Sequence, residues 1–560
     1  MRKRFLQLIA IVQIWLFLAA ACEGTGTVPG LGQRAVSVSI IYGSEKQEWL
    51  EPLVAEFNAS KAKIQSGESI KVEATPMGSI ESVHAIIEQS VQPTVWSPAS
   101  SIYIPVANAE WRKSHNDDLV LENTKDLVLS PVVIAMWQPM AEALGYPQKS
   151  IGWEDISRLA VSEEGWAAYG YPEWGKFKFG HTHPEYSNSG IVAIIAQAYA
   201  AAGKQRSLKS EDLQNPQVRS FMADVQSSII HYGTSTGFFA NRMFERGPSY
   251  LSAAVLYENL IVTQESKRLN GESQQLPVVA IYPKEGTFWA NHPYAILNAP
   301  WVTPQQKEAA QVFLNYLLDK PQQMRALQYG FRPSDPSISL TSPLDSQHGV
   351  DPQQPKTVLE VPSADVIYSI QSLWHEIKKP VDLVIVIDTS GSMAGKKIGA
   401  ARSSLVQFIN LLSDRDQLEV IAFSSQISTL TELSSLGEKR EDITRRVSGI
   451  IEGGDTRLYD ATIQAHQSLM EKGSDKHIRA IVILSDGQDT ASDASLQEVL
   501  NQIGSKSEES ESAIKIFTIA YGDDADEDVL KNIAESTGAK QYKSTPENIN
   551  KIYAEIATFF

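Results

Sequence analysis

Residues 383–393 read Leu-Val-Ile-Val-Ile-Asp-Thr-Ser-Gly-Ser-Met, and this stretch decides the fold of the C-terminal part of the chain. The apolar, β-branched run predicts a buried strand, and the polar turn after it stands before a helical pattern over 397–412. In a parallel sheet, residues just past the carboxyl end of a strand line the crevice where ligands bind. The sequence therefore predicts a polar site at the end of this strand.

Oxygen atoms from three segments suit a divalent cation at that site. Asp388, Ser390 and Ser392 stand at alternate positions of the turn, Thr456 lies in a loop before the helix predicted from Leu458, and Asp486 follows the strand predicted over 478–485. Hard oxygen ligands of this kind suit Mg²⁺. The alternative is a turn whose side chains only cap the backbone, and the matching positions of Thr456 and Asp486 argue against it.

Residues 380–560 resemble the von Willebrand factor type A (VWA) domain on these five positions. The resemblance implies a doubly wound, Rossmann-like α/β domain with a metal-ion-dependent adhesion site (MIDAS). In such domains the serines and the threonine can touch the metal directly, while the aspartates act largely through water. One coordination place stays open for an incoming carboxylate. The resemblance thus implies Mg²⁺ or another divalent cation as cofactor, and a partner protein that offers an acidic residue.

Composition limits the classes of function. The chain has 560 residues, 42% of them hydrophobic, which predicts several packed domains. Its 66 acidic and 49 basic residues give a net charge of -17, which argues against nucleic acid as a partner. No nucleophile and base occur at a recognisable spacing, and no Walker-type glycine loop is present, so the sequence predicts binding rather than an enzyme.

The first residues have the pattern of an export signal. Basic residues at 2–4 precede an apolar run over 5–21 that ends in three alanines before Cys22. The segment 1–22 resembles a bacterial lipoprotein signal, although Ala19 stands where such signals usually carry leucine. The resemblance implies a lipid on Cys22 that anchors an exported protein to a membrane of the cell envelope. Residues 23–35, rich in glycine, are expected to form a flexible tether.

Residues 36–378 alternate between strand and helix patterns, which is typical of an α/β fold. Strand patterns occur at 36–42, 70–74, 127–136, 176–180 and 276–282. The region resembles bacterial extracellular solute-binding proteins of the two-lobed type 2 fold, near the molybdate and sulfate binders, on residues 130–136, 151–155, 286–293 and 330–333. The resemblance implies one lobe from 36–128 and 284–378, a second from 132–280, and a cleft between them.

Several side chains are candidates to face a solute in that cleft. Ser44, Ser79 and Ser189 lie at strand-to-helix turns, where backbone N–H groups and a hydroxyl form an anion site, or where each serine is a plain helix cap. Tyr257 and Glu258 end a strand-like run at a place where family members often touch ligand. An ionised Glu258 would repel an oxyanion, so a cationic, sugar-like or peptide-like solute, or an empty cleft, stays open.

These observations together predict an exported, surface-anchored binding protein. Its Mg²⁺-dependent adhesion site would recognise a partner protein, and its solute-binding body would sense or present a ligand. The alternative is a solute receptor of an ABC importer that carries an accessory VWA domain.

Overall fold

The computed structural model describes residues 35–122, 124–233, 235–486, 488–504, 514–522 and 524–560. The predicted export signal over 1–22, with the lipidation site Cys22, lies outside the described residues, as does the predicted tether apart from Ala35. Strands and helices alternate through both parts of the chain.

The strands are β1 Val36–Tyr42, β2 Ile70–Pro76, β3 Val95–Ser97, β4 Lys125–Asp126, β5 Val128–Trp137, β6 Phe179–Gly180, β7 Ala253–Tyr257, β8 Val278–Ile281, β9 Trp289–Ala290, β10 Pro293–Ile296, β11 Arg332–Pro333, β12 Val381–Asp388, β13 Gln417–Phe423, β14 Ile427–Ser435, β15 Ile478–Ser485, β16 Lys515–Tyr521 and β17 Gln541–Ser544. The helices are α1 Gln47–Ser60, α2 Ser79–Ile87, α3 Tyr103–Trp111, α4 Gln138–Ala143, α5 Trp153–Ala160, α6 Asn188–Ala202, α7 Pro216–Ser227, α8 Thr236–Arg246, α9 Glu258–Leu269, α10 Pro304–Leu318, α11 Lys320–Gln328, α12 Ala364–Ile377, α13 Lys396–Leu411, α14 Arg440–Ser448, α15 Leu458–Lys472, α16 Leu496–Gly504, α17 Glu527–Ser536 and α18 Ile549–Ala557.

Two sheets build the N-terminal body, one in each lobe. The first has the strand order β2-β1-β3-β10-β4, and the second has the order β11-β5-β7-β6, with β8 and β9 also paired to β5. Helices α1 and α10 pack on the first sheet through buried side chains such as Trp49, Phe57 and Phe313. The mixed sheets and covering helices confirm the predicted α/β class.

The division between the lobes differs from the expected one. Residues 284–378 were expected in the first lobe, but Arg332–Pro333 pairs with β5 of the second sheet. Helix α12 packs on α6 and α7 of the second lobe, where Trp374 donates to the Gln226 side chain at 3.1 Å. The chain therefore crosses back to the second lobe before it enters the C-terminal domain.

The C-terminal domain has one sheet, with the order β14-β13-β12-β15-β16-β17. Its strands are parallel except for the antiparallel edge strand β14, which the sequence analysis did not predict because its residues are only half-buried. Apolar side chains on the two faces of β12 belong to two separate cores, one under α13 and α18 and the other under α15 and α17. This is the doubly wound fold that the resemblance implied.

The two parts of the chain share one apolar core. Three residues, 378–380, join α12 directly to β12. Phe560 is buried, and its backbone oxygen accepts a hydrogen bond from the ammonium of Lys378 at 2.5 Å. The backbone oxygen of Phe559 accepts from the N–H of Tyr232 in the second lobe at 3.3 Å. The C-terminal domain is thus packed against the body.

A search of the described residues for helices of membrane-spanning length and hydropathy found none.

Candidate metal centre and solute cleft

Asp388 ends β12 with a fully buried carboxylate. One oxygen, Oδ1, accepts from the backbone N–H of Ser390 at 2.8 Å, and Oδ2 accepts from the hydroxyl of Ser485 on the adjacent strand at 2.6 Å. Burial raises the pKa of Asp388, these hydrogen bonds lower it, and the nearby charge of Asp486 raises it further, for a net increase. Two buried carboxylates that repel each other in this way favour a bound cation.

The two serines of the turn connect Asp388 to Asp486. The hydroxyls of Ser390 and Ser392 lie 2.9 Å apart, and Ser392 donates to Oδ1 of Asp486 at 2.7 Å. Ser390 and Asp486 are buried, whereas Ser392 is exposed. The side chains of this turn therefore link two neighbouring strand ends, and the residue among them that is exposed is Ser392.

The loop with Thr456 docks on the same turn through the backbone. Gly391 donates to the carbonyl of Gly454 at 3.0 Å, and Gly453 donates to the carbonyl of Thr389 at 2.7 Å. Gly454 has a φ of +91°, and a Cβ there would lie 2.6 Å from a serine hydroxyl, so this position needs glycine. Thr456 is buried behind this loop. The three predicted segments thus meet at one edge of the sheet.

Lys397, in the first turn of α13, belongs to the site and was missed by the sequence analysis. Its ammonium donates to Oδ2 of Asp486 at 2.6 Å and lies 3.5 Å from a carboxylate oxygen of Asp524. Burial lowers the pKa of Lys397, but the two aspartates outweigh this effect and raise it. The carboxylate of Asp486 thus accepts hydrogen bonds from both the hydroxyl of Ser392 and the ammonium of Lys397.

The residues present fit a divalent metal ion with a preference for oxygen ligands. The donors are two carboxylates and three hydroxyl side chains, which is the chemistry suited to Mg²⁺. Within the part of the chain that the structure describes, no place gathers three or more His, Cys, Asp or Glu side chains in a metal-binding arrangement. A metal ion here would therefore depend on the hydroxyls of Ser390, Ser392 and Thr456 as well as on the aspartates.

The three serines predicted for the cleft have different surroundings. Ser44 is exposed and lines a cavity between the lobes. Ser79 is buried, and its hydroxyl accepts from the backbone N–H of Ala99 at 3.0 Å. Ser189 is fully buried, and its hydroxyl forms hydrogen bonds with the hydroxyls of Thr182 and Thr236.

Tyr257 and Glu258 are also bonded inside the body. The hydroxyl of Tyr257 accepts from the side-chain amide of Asn188 at 2.9 Å. Both oxygens of Glu258 accept from the guanidinium of Arg332, at 2.7 and 2.5 Å, and Tyr282 donates to the same carboxylate. The expectation that Glu258 repels an oxyanion does not hold, because Arg332 neutralises that charge where it is buried.

Residues 38–332 match the family model of the bacterial extracellular solute-binding proteins, which is more than half of the chain. The chain belongs to this family. Residues 382–555 match the model of the von Willebrand factor type A domain. The protein therefore consists of a solute-binding body followed by a VWA domain, as the resemblances implied.

Curated relatives match parts of the chain. The inter-alpha-trypsin inhibitor heavy chain H4 of Homo sapiens is 29% identical over 167 residues, which cover 28% of this chain and 18% of the human protein. An uncharacterized protein of Mycobacterium tuberculosis is 23% identical over 367 residues, which cover 60% of this chain and 49% of that protein. The chain thus spans under a fifth of the first relative and about half of the second.

Solved structures resemble the two parts separately. The sulfate-binding protein SubI from Mycobacterium tuberculosis H37Rv gives a TM-score of 0.36 at 17% identity, covering 54% of this chain and 88% of that chain. A von Willebrand factor type A protein from Catenulispora acidiphila gives a TM-score of 0.29 at 21% identity, covering 32% of this chain and 42% of that chain. The proximal thread matrix protein 1 of the mussel byssus, with a zinc-occupied MIDAS motif, gives a TM-score of 0.28 at 15% identity, covering 34% of this chain and 51% of that chain.

Both domain types point to binding. Solute-binding and VWA domains are typically non-enzymatic, and VWA domains commonly bind a divalent metal at a MIDAS. The match to extracellular solute-binding proteins indicates an exported protein.

Proposed function

We propose that this protein is a surface-anchored binding protein that recognises an acidic group of a partner protein through Mg²⁺. The observation that carries the proposal is the set of oxygen atoms joined from Asp388 through Ser390 and Ser392 to Asp486. Thr456 is held against the same turn by its loop. These residues would hold the ion, and the ion would supply a positive charge with a place for a carboxylate from outside.

The surrounding residues support recognition of a carboxylate rather than turnover. Asp388 is fixed by Ser485 and the backbone of Ser390, so it is not free to move a proton to a substrate. His466, on α15, is half-buried, and burial lowers its pKa. It has no place in the proposed metal shell. We propose that the protein is not an enzyme.

The proposed location rests on the sequence of the first residues. A lipid on Cys22 would hold the protein at a membrane of the cell envelope, and the segment 23–35 would connect the anchor to the body. The body would then hold the VWA domain away from the membrane surface.

The metal site can be tested without a known partner. Titration of the EDTA-stripped full chain with Mg²⁺ is expected to show saturable binding that Asp388→Ala abolishes. Asp475→Ala is the matched control, because this 82% exposed aspartate lies before β15, at the opposite end of that strand from Asp486. Circular dichroism of each variant verifies the fold.

An aspartate-rich peptide serves as the probe for the open coordination place. The peptide is expected to bind the Mg²⁺-loaded chain, and EDTA or Asp388→Ala is expected to remove that binding. Peptide binding that survives both treatments would show that the metal is not the recognition element.

A second candidate is a solute receptor of an ABC importer with an accessory VWA domain. It is favoured by a cavity of about 1070 Å³ between the lobes, which is large enough for a small organic solute. A thermal-shift screen tests it, since a solute at 100 times its dissociation constant adds about 2.7 kcal/mol to the free energy of unfolding. Stabilisation by a solute that leaves Mg²⁺ binding unchanged would favour transport.

A further inference from the structure

The cavity between the lobes is also lined by the VWA domain. Its wall includes residues of α2 and α3 from the first lobe, Tyr186 and Ile191 from the second, and Tyr368 on α12. Lys551 and Glu555 on α18 complete the lining. The volume of about 1070 Å³ suits an organic molecule rather than a single inorganic ion. The last helix of the VWA domain is therefore part of the wall around any solute held here.

The charges on the wall are mostly negative. The acidic residues that line the cavity are Glu81, Glu88, Glu110, Glu185 and Glu555. Against them stand one lysine, Lys551, and one histidine, His84, among the described lining residues. Some of this charge is balanced outside the cavity, since Glu110 pairs with Lys113 at 2.7 Å and Glu555 pairs with Lys540 at 3.0 Å. Glu185 lies 2.7 Å from the imidazole of His375, which is a cation only when it is protonated. An oxyanion would be repelled by such a wall and a cation attracted to it.

One buried polar atom of a lining residue has no partner among the described residues. Tyr103 lines the cavity and is only 2% exposed, and its hydroxyl has no hydrogen-bond partner among the described residues. Burial raises the pKa of Tyr103 and of Tyr257, and the charge of Glu45 adds to both increases. The hydroxyl oxygen of Tyr103 is able to accept an N–H donor.

The buried lysine near the floor is not available to an anion. The ammonium of Lys46 is fully buried and donates to the carbonyl of Ser97 at 2.8 Å. It also lies 3.5 Å from Glu45 and 3.4 Å from Nδ1 of His292. Its charge is therefore balanced inside the first lobe.

We propose that this cavity binds an organic cation that carries N–H donors, and that Glu555 of the VWA domain forms part of the site. The proposal rests on the solute-binding part of the proposed function. Tyr103 accepts an N–H group of the ligand at the floor, and the glutamates of the wall balance its charge. The rings of Tyr186 and Tyr368 offer cation–π contacts along the wall.

The test uses calorimetric titration of the full chain with spermidine and agmatine as N–H-bearing cations, and with sulfate and glucose as anionic and neutral probes. At least one of the two cations is expected to bind saturably at physiological salt, while sulfate and glucose do not. Because the chain has a net charge of -17, a polycation is also attracted without a site, and the variants distinguish the two cases.

Tyr103→Phe is expected to weaken cation binding about 10-fold, and Glu555→Gln about 3- to 10-fold. Tyr553→Phe is the matched control, because its buried hydroxyl also lacks a partner among the described residues but does not line the cavity. If Tyr103→Phe binds the cation as tightly as Tyr553→Phe does, the site as described is overturned. The same holds if Glu555→Gln leaves the affinity for the cation unchanged.

The remaining outcomes separate this inference from the proposed function. Binding of sulfate or glucose in place of the cations would overturn the cation assignment and leave a solute-binding body. Binding of none of the four probes would overturn it as well. The Mg²⁺ titration tests the metal site independently of all these results.

Discussion

Lys397→Met is expected to tighten the binding of divalent cations at the proposed metal site. In the structure the ammonium of Lys397 donates to Oδ2 of Asp486 at 2.6 Å, and that carboxylate is fully buried. A metal ion that uses Asp486 must compete with this internal cation. Methionine keeps most of the volume of the lysine chain and removes its charge.

The magnitude follows from this one hydrogen bond. A hydrogen bond to a charged group contributes about 1.5–3 kcal/mol, and each 1.4 kcal/mol changes an equilibrium constant about tenfold. The dissociation constant for Mn²⁺ is therefore expected to fall about 10- to 100-fold in Lys397→Met. The metal-free variant is expected to lose about 1.5–3 kcal/mol of unfolding free energy, because Asp486 stays buried without its partner.

Isothermal titration of the EDTA-stripped full chain with Mn²⁺ measures the affinity, and urea unfolding of the same protein measures the stability. Lys396→Met is the matched control, since this neighbouring lysine is exposed and the change in net charge is the same. An unchanged or weaker affinity in Lys397→Met would refute the competition and assign Lys397 to the positioning of Asp486.

Three further predictions concern the body and its contact with the VWA domain. Burial lowers the pKa values of His181 and His292 to about 4. Between pH 6.5 and 4 the unfolded chain therefore binds protons that the folded body does not. Each imidazole should lower the free energy of unfolding by roughly 3 kcal/mol at pH 4, as measured by urea unfolding. Glu258→Gln leaves the buried guanidinium of Arg332 without its counter-ion and should cost about 3–5 kcal/mol of unfolding free energy, measured with urea. Phe560→Ala should lower the free energy of unfolding by about 3–5 kcal/mol, because this buried ring lies in the core that the two domains share. Calorimetry should then show the two domains unfolding in separate transitions.

Each of these predictions has a control within the chain. For the histidines, His181→Gln should reduce the dependence of stability on pH between 6.5 and 4, and an equal slope would contradict the assignment. For Glu258, the control is Glu56→Gln, since Glu56 pairs with Arg325 at 54% exposure and should change stability by less than about 1 kcal/mol. A single unchanged calorimetric transition in Phe560→Ala would argue against a shared core.

The meeting of Asp388, Ser390, Ser392 and Asp486 at one sheet edge could be predicted because its signals are local. The apolar strand and the Asp388 turn are adjacent in sequence, and parallel strands end at one edge, so Asp486 had to fall near Asp388 once both strands were recognised. Lys397 could not be placed in the same way. Its reach to Asp486 depends on the rotation of α13 about its own axis, which the sequence Ala-Gly-Lys-Lys over 394–397 does not fix.

The cleft was harder to predict because its contacts are distant in sequence. The partner of Glu258 is Arg332, 74 residues away, and nothing near Glu258 indicates that its charge is neutralised. The contribution of α18 to the cavity wall depends on how two domains pack, which hydrophobic periodicity does not reveal. The edge strand β14 was missed for a related reason, since its half-exposed residues lack the apolar run of the central strands.

The short covalent link between α12 and β12 has a mechanical consequence. A partner that pulls on an ion beside Asp388 loads β12 along its axis, and residues 378–380 offer almost no slack to absorb the displacement. The pull therefore reaches α12, whose Tyr368 donates to Glu110 of the first lobe at 2.8 Å. Tension applied along β12 would thus be transmitted to a contact in the wall of the cavity between the lobes.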